Sequence, residues 1–314
     1  MQSARVYRVI SFRPTRPPAG RLVRLGVVLD TTNRPDRLRE VAKMGDRAGV
    51  DVLWVADPGA SVDDDARLEA WTALTLAGRD TSRARVGAIL DIALRPAAAL
   101  AAMAGSLDPA LGWRLEIGLR GGRMEEYATI FRKLVTREGP GATGRQPTGP
   151  PVSVEAMDSL GIAMAARVAD DVVIPAAAGP DLLSVVERVR EGCEAAGRDP
   201  SSLGIAVELP VSIARTSTEA EARAGAAPGF RAIGRASRPA LVGTLEQCQD
   251  RVIELAHAGV TDLRCIVPNT ADVHDVIAQL TAMVVGTVGV LTPSSRRSRA
   301  PDPPGGWGGR SSRR

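Results

Sequence analysis

Short apolar runs alternate with amphipathic stretches along most of this chain. The runs have the length of strands, and the longer stretches repeat apolar residues at helical spacing. Residues 34–49 are a clear example of a helix, because the pattern stops at Gly49. We predict strands at 25–30, 51–57, 85–92, 114–120, 152–157, 171–176, 203–214 and 262–268. We predict helices at 34–49, 63–81, 95–107, 124–136, 159–169, 181–196, 218–226, 244–258 and 272–285.

This alternation predicts parallel strands that are connected by right-handed crossovers. Eight such units fit a closed (β/α)8 barrel, the TIM barrel of about 250 residues, and residues 25–291 have that size. A doubly wound open sheet is the alternative architecture. In a barrel the functional groups lie at the carboxyl ends of the strands. Asp57, which ends the run "DVLWVAD", should therefore point into the site, unless Asp57-Pro58 simply starts a turn.

Composition indicates a soluble protein of the cytoplasm. The chain is 44% hydrophobic over 314 residues, which is enough for a large core. Its three cysteines are widely spaced and form no CxxC motif, which favours reduced thiols. No apolar run has the length of a membrane span or the form of a signal peptide.

Charge divides the chain into an acidic centre and two basic ends. Residues 1–24 carry six Arg and no acid, and residues 292–314 carry six Arg against Asp302. Removing these charges of +6 and +5 from the total of +4 leaves −7 for residues 25–291. We expect 1–24 to be a flexible basic extension and 292–314 a disordered tail of Arg, Pro, Gly and Ser. A solvated extension is the favoured interpretation, and contact with a polyanion is the alternative.

Several segments together carry a family resemblance. The first is "LDIALRPAAALAAMAGSLDPALGWRLEIGLRGG" (90–122), with Arg95-Pro96 in a turn and Gly118–Gly122 leading into a glycine-rich loop. Others are "PPVSVEAMDSLGIAMAARVADDVV" (150–173), "EAAGRDPSSLGIAV" (194–207) and "VGTLEQCQDRVIELAHAGVTDLR" (242–264). In this order, and over roughly residues 22–285, the chain resembles the bacterial luciferase-like monooxygenase family.

The resemblance implies a barrel that binds flavin mononucleotide (FMN) or the deazaflavin coenzyme F420 in its mouth. It implies hydride transfer, or oxygen activation in members that use flavin, on a small organic substrate. Asp57 matches an aspartate beside the flavin, and Asp91-Ile92 fall where the family often bends strand three, sometimes through a non-proline cis peptide. The residues expected around the cofactor are Asp57, Asp91, Ile92, Arg120, Gly121, Gly122, Glu155, Ala156 and Met157, with Asp57 also the candidate catalytic residue.

The chain departs from the family at two of these places. Deazaflavin enzymes of the family frequently have His after the strand-two Asp, and this chain has Pro58, which cannot transfer a proton. Many members have a Gly-Gly turn for phosphate after strand five, and this chain has Met157-Asp158. A carboxylate there would repel a phosphate. A degenerate barrel without redox activity, acting as a binding or oligomer subunit, is therefore the alternative function.

Other candidate residues have two interpretations each. The motif "GLRGG" (118–122) offers backbone N–H groups and Arg120 to an anion, or forms only a tight strand-to-helix turn. Glu155 could face the barrel lumen or a solvated rim. His257 and His274 show no metal-ligand spacing, and we predict no metal site. Cys248 and Cys265 are expected to be small apolar residues of the core.

These features also set the expected partners. We expect a small-molecule substrate and no association with a membrane. Nucleic acid should be contacted, if at all, only through the basic tails, because residues 25–291 are acidic. A homodimer is left open.

Overall fold

The computed structural model describes residues 15–32, 34–57, 68–135, 149–156, 158–176, 182–226, 240–267 and 272–286. Several predictions fall outside these residues: the tail 292–314, most of the extension 1–24, Pro58, Met157 and the first part of the helix predicted at 63–81. Residues 15–24 are described and contact the barrel. Strand β1 already begins at Arg24, and the Arg21 guanidinium pairs with Asp51 at 2.9 Å.

The strands form a closed parallel barrel. They are β1 (Arg24–Val28), β2 (Val52–Ala56), β3 (Arg85–Asp91), β4 (Leu115–Arg120), β5 (Val152–Glu155), β6 (Asp171–Ile174), β7 (Gly204–Ile213), β8 (Leu241–Gly243) and β9 (Asp262–Ile266). Each of β1 to β7 pairs with the next, and β9 pairs with both β7 and β1, which closes the ring. The (β/α)8 barrel is therefore confirmed, and the open sheet is wrong.

Helices follow the strands at the predicted places. They are α1 (Pro35–Ala48), α2 (Ala70–Arg79), α3 (Ala97–Ala110), α4 (Met124–Val135), α5 (Ser159–Val168), α6 (Leu182–Ala195), α7 (Ser217–Ala226), α8 (Leu245–Ala258) and α9 (Val273–Gly286). Local signals fix their ends: Gly49 terminates α1 with a left-handed φ of 91°, and Thr244 and Gln247 form a capping box on α8. No helix of the described residues is long and apolar enough to cross a membrane.

Strand β8 was not predicted from the sequence. It has three residues and pairs only with the far end of β7, at Val211–Ile213, while the first part of β7 pairs with β6 and β9. A three-residue strand is too short to show the alternation of apolar and polar residues that marks a strand in a sequence. Strand β8 extends the wall formed by β7 beyond the closed ring, at the carboxyl end of the barrel.

The large apolar core lies between the strands and the helices, and it includes the buried Cys193, Cys248 and Cys265. The lumen of the barrel is different, because charged and small residues fill much of it. Inward residues of alternate strands form layers, as the pairing register of a TIM barrel requires. The register places Gly26, Gly87, Ser153 and Ala206 in a central layer of small residues.

Two large side chains fill the space above this small layer. Trp54 and Arg264 are 1% and 2% exposed, and the guanidinium carbon lies 3.7 Å from the centre of the indole. A Cβ on Gly87 would lie 2.3 Å from Trp54 ring carbons, and a Cβ on Gly26 would lie 2.9 Å from Trp54 Nε1. Glycine is therefore required at these strand positions because the indole occupies the side-chain space.

A buried ionic cluster closes the amino-terminal end of the lumen. Arg24 pairs with Glu116 at 2.6 Å and with Asp262 at 2.9 Å. Beside it lies Asp171, whose Oδ1 accepts hydrogen bonds from the Thr15 N–H at 3.1 Å and the Thr15 hydroxyl at 2.8 Å. Burial raises the pKa of Asp171 to about 7, although Arg24 lowers it, and neighbouring Asp170 and Glu116 raise it further.

We expect Asp171 to make stability fall as the pH rises. A raised pKa in the folded state favours the protonated form, so its stabilisation is complete below the usual pKa of 3.8 and is lost as the pH rises to about 7. One pKa unit corresponds to about 1.4 kcal/mol. As the pH rises from 3.8 to about 7, the free energy of unfolding of Asp171→Asn should therefore increase by more than about 1 kcal/mol relative to that of the wild type. Urea unfolding at several pH values measures it. Exposed Asp250→Asn is the control, and parallel curves for the Asp171 variant and the wild type would contradict the expectation.

Candidate functional site at the barrel mouth

Asp57 lies where β2 ends, and both oxygens of its buried carboxylate are occupied. Oδ2 accepts from Arg95 Nη1 at 2.6 Å and from the Asp91 N–H at 3.0 Å, and Oδ1 accepts from Arg95 Nη2 at 2.9 Å. The Asp57 N–H donates to the Ile89 carbonyl at 2.9 Å. In the described structure the Asp57 carboxylate thus holds the end of β3 and the turn that follows it, and its role at a bound ligand stays a prediction.

Arg95 connects this carboxylate to two further elements. Its guanidinium also bonds Glu69, the N-cap residue of α2, and its carbonyl accepts from the Tyr127 hydroxyl of α4 at 2.9 Å. The bond to Asp57 is the largest cause that raises the pKa of Arg95, and the bond to Glu69 adds to it. The sequence identified Arg95 only as part of a turn motif. Its role in joining β2, α2 and α4 was missed.

Arg120 and Gly121 lie on the adjacent strand end. Arg120 Nη2 bonds the Asp57 carbonyl, and the Arg120 carbonyl accepts from the Ile92 N–H at 3.1 Å. Gly121 has a φ of 117°, and a Cβ there would lie 3.3 Å from Asp91 Oδ1. Gly122 is exposed, with open space around it. The motif therefore forms a tight turn and also presents the half-buried Arg120 at the mouth.

At Asp91-Ile92, where the family resemblance implies a bend, the strand ends and a turn follows. Strand β3 ends at Asp91, whose Oδ1 accepts from the Ala93 N–H at 2.9 Å, and a turn leads to Arg95. The peptide bonds of the described residues are all trans.

Two half-buried glutamates share the lumen just below the mouth. The register places Glu155 of β5 and Glu208 of β7 in one layer with Val28 and Ile89. Burial raises the pKa of Glu155, against the lowering effect of Arg120 and Arg264. Burial also raises the pKa of Glu208 to about 7; Arg264 lowers it, and the like charge of Glu155 raises it. Glu155 thus faces the lumen rather than a solvated rim.

Arg264, in the layer beneath, is the cation of this group. Its Nη2 donates to Ser153 Oγ at 2.7 Å, and its Nε has no hydrogen-bond partner. Neither Glu208 nor Arg264 is among the residues predicted from the sequence. The available signal was a charged residue at an inward-facing position of an apolar strand, Glu208 in "AVELP" and Arg264 in "DLRCI", because alternate residues of a strand face the same side.

The turn after β5 differs from a phosphate cradle. Ala156 is buried and its N–H donates to the Val173 carbonyl at 2.9 Å. Asp158 is the N-cap of α5, and its carboxylate accepts from the Gly161 N–H at 2.7 Å. The chain's own anion therefore occupies the first turn of this helix, in line with the repulsion expected from the sequence.

The sequence-predicted residues thus fall into three groups. Asp57, Asp91, Ile92, Arg120 and Gly121 come together at the ends of β2 to β4, and Glu155 faces Arg120 from β5. Ala156 is buried beside β6, and Gly122 points to open space. Among the residues that the structure describes, no three of His, Cys, Asp and Glu are grouped to hold a metal. His274 lies 3.9 Å from Glu40 on the outside of the barrel.

Comparison with protein families tests the resemblance to luciferase-like monooxygenases that the sequence motifs suggest. The model of the luciferase-like monooxygenase family matches residues 19–122 and 118–262, which is most of the chain. The chain belongs to this family. No curated protein sequence matches it.

Solved structures confirm the luciferase-like barrel. The F420-dependent tetrahydromethanopterin reductase of Methanopyrus kandleri superposes with a TM-score of 0.65 at 18% identity, over 84% of this chain and 99% of that one. A monooxygenase from Streptomyces bottropensis has a TM-score of 0.65 at 19% identity, over 84% and 98%. The oxygenating constituent of 3,6-diketocamphane monooxygenase from Pseudomonas putida, in complex with FMN, has a TM-score of 0.64 at 15% identity, over 84% and 98%.

Proposed function

We propose that this luciferase-like protein is a flavin- or deazaflavin-dependent oxidoreductase that acts on a small organic molecule at the mouth of its barrel. The observation that carries the proposal is the composition of the mouth. An apolar patch of Val28, Ala56 and Ile89 lies beside the cation of Arg120 and the carboxylates of Glu155 and Glu208. Redox cofactor sites combine apolar walls with a few convergent polar groups in this way.

The mouth fits the redox-active ring of such a cofactor. The apolar patch can pack against a flat ring, and Arg120 can donate to the ring's polar edge, where negative charge develops on reduction. Arg120 is held in place by its bond to the Asp57 carbonyl, and the Asp57–Arg95 pair fixes the adjacent turn. The bound cofactor would supply hydride transfer or oxygen activation, and the protein would orient it and exclude water.

The first turn of α5 does not fit the cofactor's phosphate. Its Gly161 N–H already donates to Asp158, and a second anion would be repelled. The proposal therefore concerns the ring, and the direct roles of Asp57, Asp91, Ile92, Gly121 and Gly122 in holding it remain predictions.

Titration of the full-length protein with FMN and with F420 tests the proposal. We expect the visible absorption of one cofactor to change at saturable, submillimolar concentration. Arg120→Ala should weaken binding about tenfold or more, since a hydrogen bond to a charged group contributes about 1.5–3 kcal/mol. Arg123→Ala, which removes an exposed arginine three residues away, should bind like the wild type.

Two results would count against this proposal. If the wild type binds neither cofactor at millimolar concentration, the redox function fails and a degenerate binding barrel replaces it. If Arg120→Ala and Arg123→Ala are both folded and bind the cofactor equally well, the cofactor ring does not lie beside Arg120.

A further inference from the structure

We propose that Glu208 is the proton-transfer residue of the mouth and that it shares one proton with Glu155. This inference rests on the proposed redox function and assigns the source of the proton that accompanies a hydride.

The position of the two carboxylates carries the proposal. Glu155 and Glu208 project into one layer of the lumen from β5 and β7, on either side of β6, which contributes Val173 without a charge. No described residue donates a hydrogen bond to either carboxylate, whereas Asp57, Asp158 and Asp171 each accept from a named donor. Both glutamates are partly exposed, so solvent at the mouth can reach them.

The charges around Glu208 explain how it could hold a proton. Arg264 of β9 is its register partner, and Arg120 of β4 and Glu155 of β5 face it across the lumen. Two like charges in one poorly solvated layer do not both ionise easily. Burial and Glu155 together raise the pKa of Glu208 to about 7, in spite of Arg264 and Arg120. A carboxyl with a pKa near neutrality can both give and regain a proton.

The step balances for a carbonyl substrate. A reduced flavin or deazaflavin bound at the mouth would supply a hydride to the carbonyl carbon, where a C–H bond would form as the C=O π electrons move to oxygen. The Glu208 carboxyl gives its proton to that oxygen, which yields an alcohol, the oxidised cofactor and a Glu208 carboxylate. Solvent at the mouth then returns a proton to the Glu155–Glu208 pair. In the reverse direction Glu208 accepts the alcohol proton.

Infrared spectroscopy of the cofactor-free, full-length protein tests the proton itself. The carbonyl stretch of a protonated carboxylic acid should be present below about pH 7 and disappear above it. Buried Asp171 also has a pKa of about 7, so each titration is recorded in an Asp171→Asn background. There Glu208→Gln should remove the component of the band that titrates near pH 7, and Glu155→Gln should shift that component to lower pH because a like charge is lost. Glu191→Gln, on the exposed side of α6, should change nothing. An unchanged titration in Glu208→Gln would overturn the proposal.

Single-turnover oxidation of the reduced cofactor by a panel of simple aldehydes and ketones tests the role. With the cofactor at a concentration that saturates each protein, Glu208→Gln should react at least about a hundredfold more slowly than the wild type, the usual size of general acid catalysis. An equal rate with intact binding overturns the role of Glu208. Absent binding in the wild type overturns the redox function instead, so the two failures are distinguishable.

Discussion

Asp57→Asn should lower the free energy of unfolding by about 3 kcal/mol. The substitution removes the charge that faces Arg95 in a pair whose aspartate side chain is 1% exposed, and a buried pair that loses one partner typically costs about 3–5 kcal/mol. The lower end applies because Arg95 is 12% exposed and keeps its bond to Glu69. Urea denaturation at neutral pH measures the change.

Glu69→Gln is the matched control for this pair. It weakens the other ionic partner of Arg95, whose side chain is 49% exposed, and exposed pairs contribute about 1 kcal/mol or less. If Asp57→Asn costs no more than Glu69→Gln, Asp57 is a turn residue whose charge is dispensable. Asp57→Asn could weaken cofactor binding in two ways, by a lost contact between Asp57 and the cofactor or by movement of Asp91 and Arg95. Arg95→Gln distinguishes them, because it breaks the pair but leaves the Asp57 carboxylate in place.

Gly87→Ala should strongly lower the free energy of unfolding. The added Cβ would lie 2.3 Å from two ring carbons of Trp54, which is itself enclosed in the lumen and cannot move aside cheaply. Overpacking of a core costs about 1–3 kcal/mol and sometimes more, and we expect the upper end or failure to accumulate folded protein. Circular dichroism and urea denaturation report it.

Gly118→Ala adds the same methyl group to the neighbouring strand and serves as the control. There the Cβ would meet the Ala88 carbonyl and Arg264 Nη1 at 3.4 Å, which is ordinary contact. Trp54→Val should partly rescue Gly87→Ala, so that the double variant loses less stability than the two single losses together. Additive losses would show that the indole is not what excludes the methyl group.

The arrangement of strands and helices could be predicted from the sequence because it rests on local signals. Apolar runs, helix periodicity and stops such as Gly49 depend on neighbouring residues. Strand β8 was missed because three residues carry no period, and its pairing with Val211–Ile213 is decided by tertiary contact.

The site was predictable only in outline. Asp57 could be placed at a strand end, but its pairing with Arg95 joins residues that are 38 positions apart, and a turn motif does not reveal it. The inward charges were visible as Glu208 and Arg264 within apolar strands. They were read as parts of hydrophobic runs, because one or two charged residues do not hide the apolar character of a strand-length run.

The contact between Thr15 and Asp171 fixes where the chain enters the barrel. Thr15 lies at the amino-terminal ends of the strands, and the mouth with Arg120, Glu155 and Glu208 lies at the opposite ends. An affinity tag, a fusion partner or a surface linker joined directly to Thr15, in a variant that begins there, would therefore start on the face away from the site. Immobilisation through that end would present the mouth to solution.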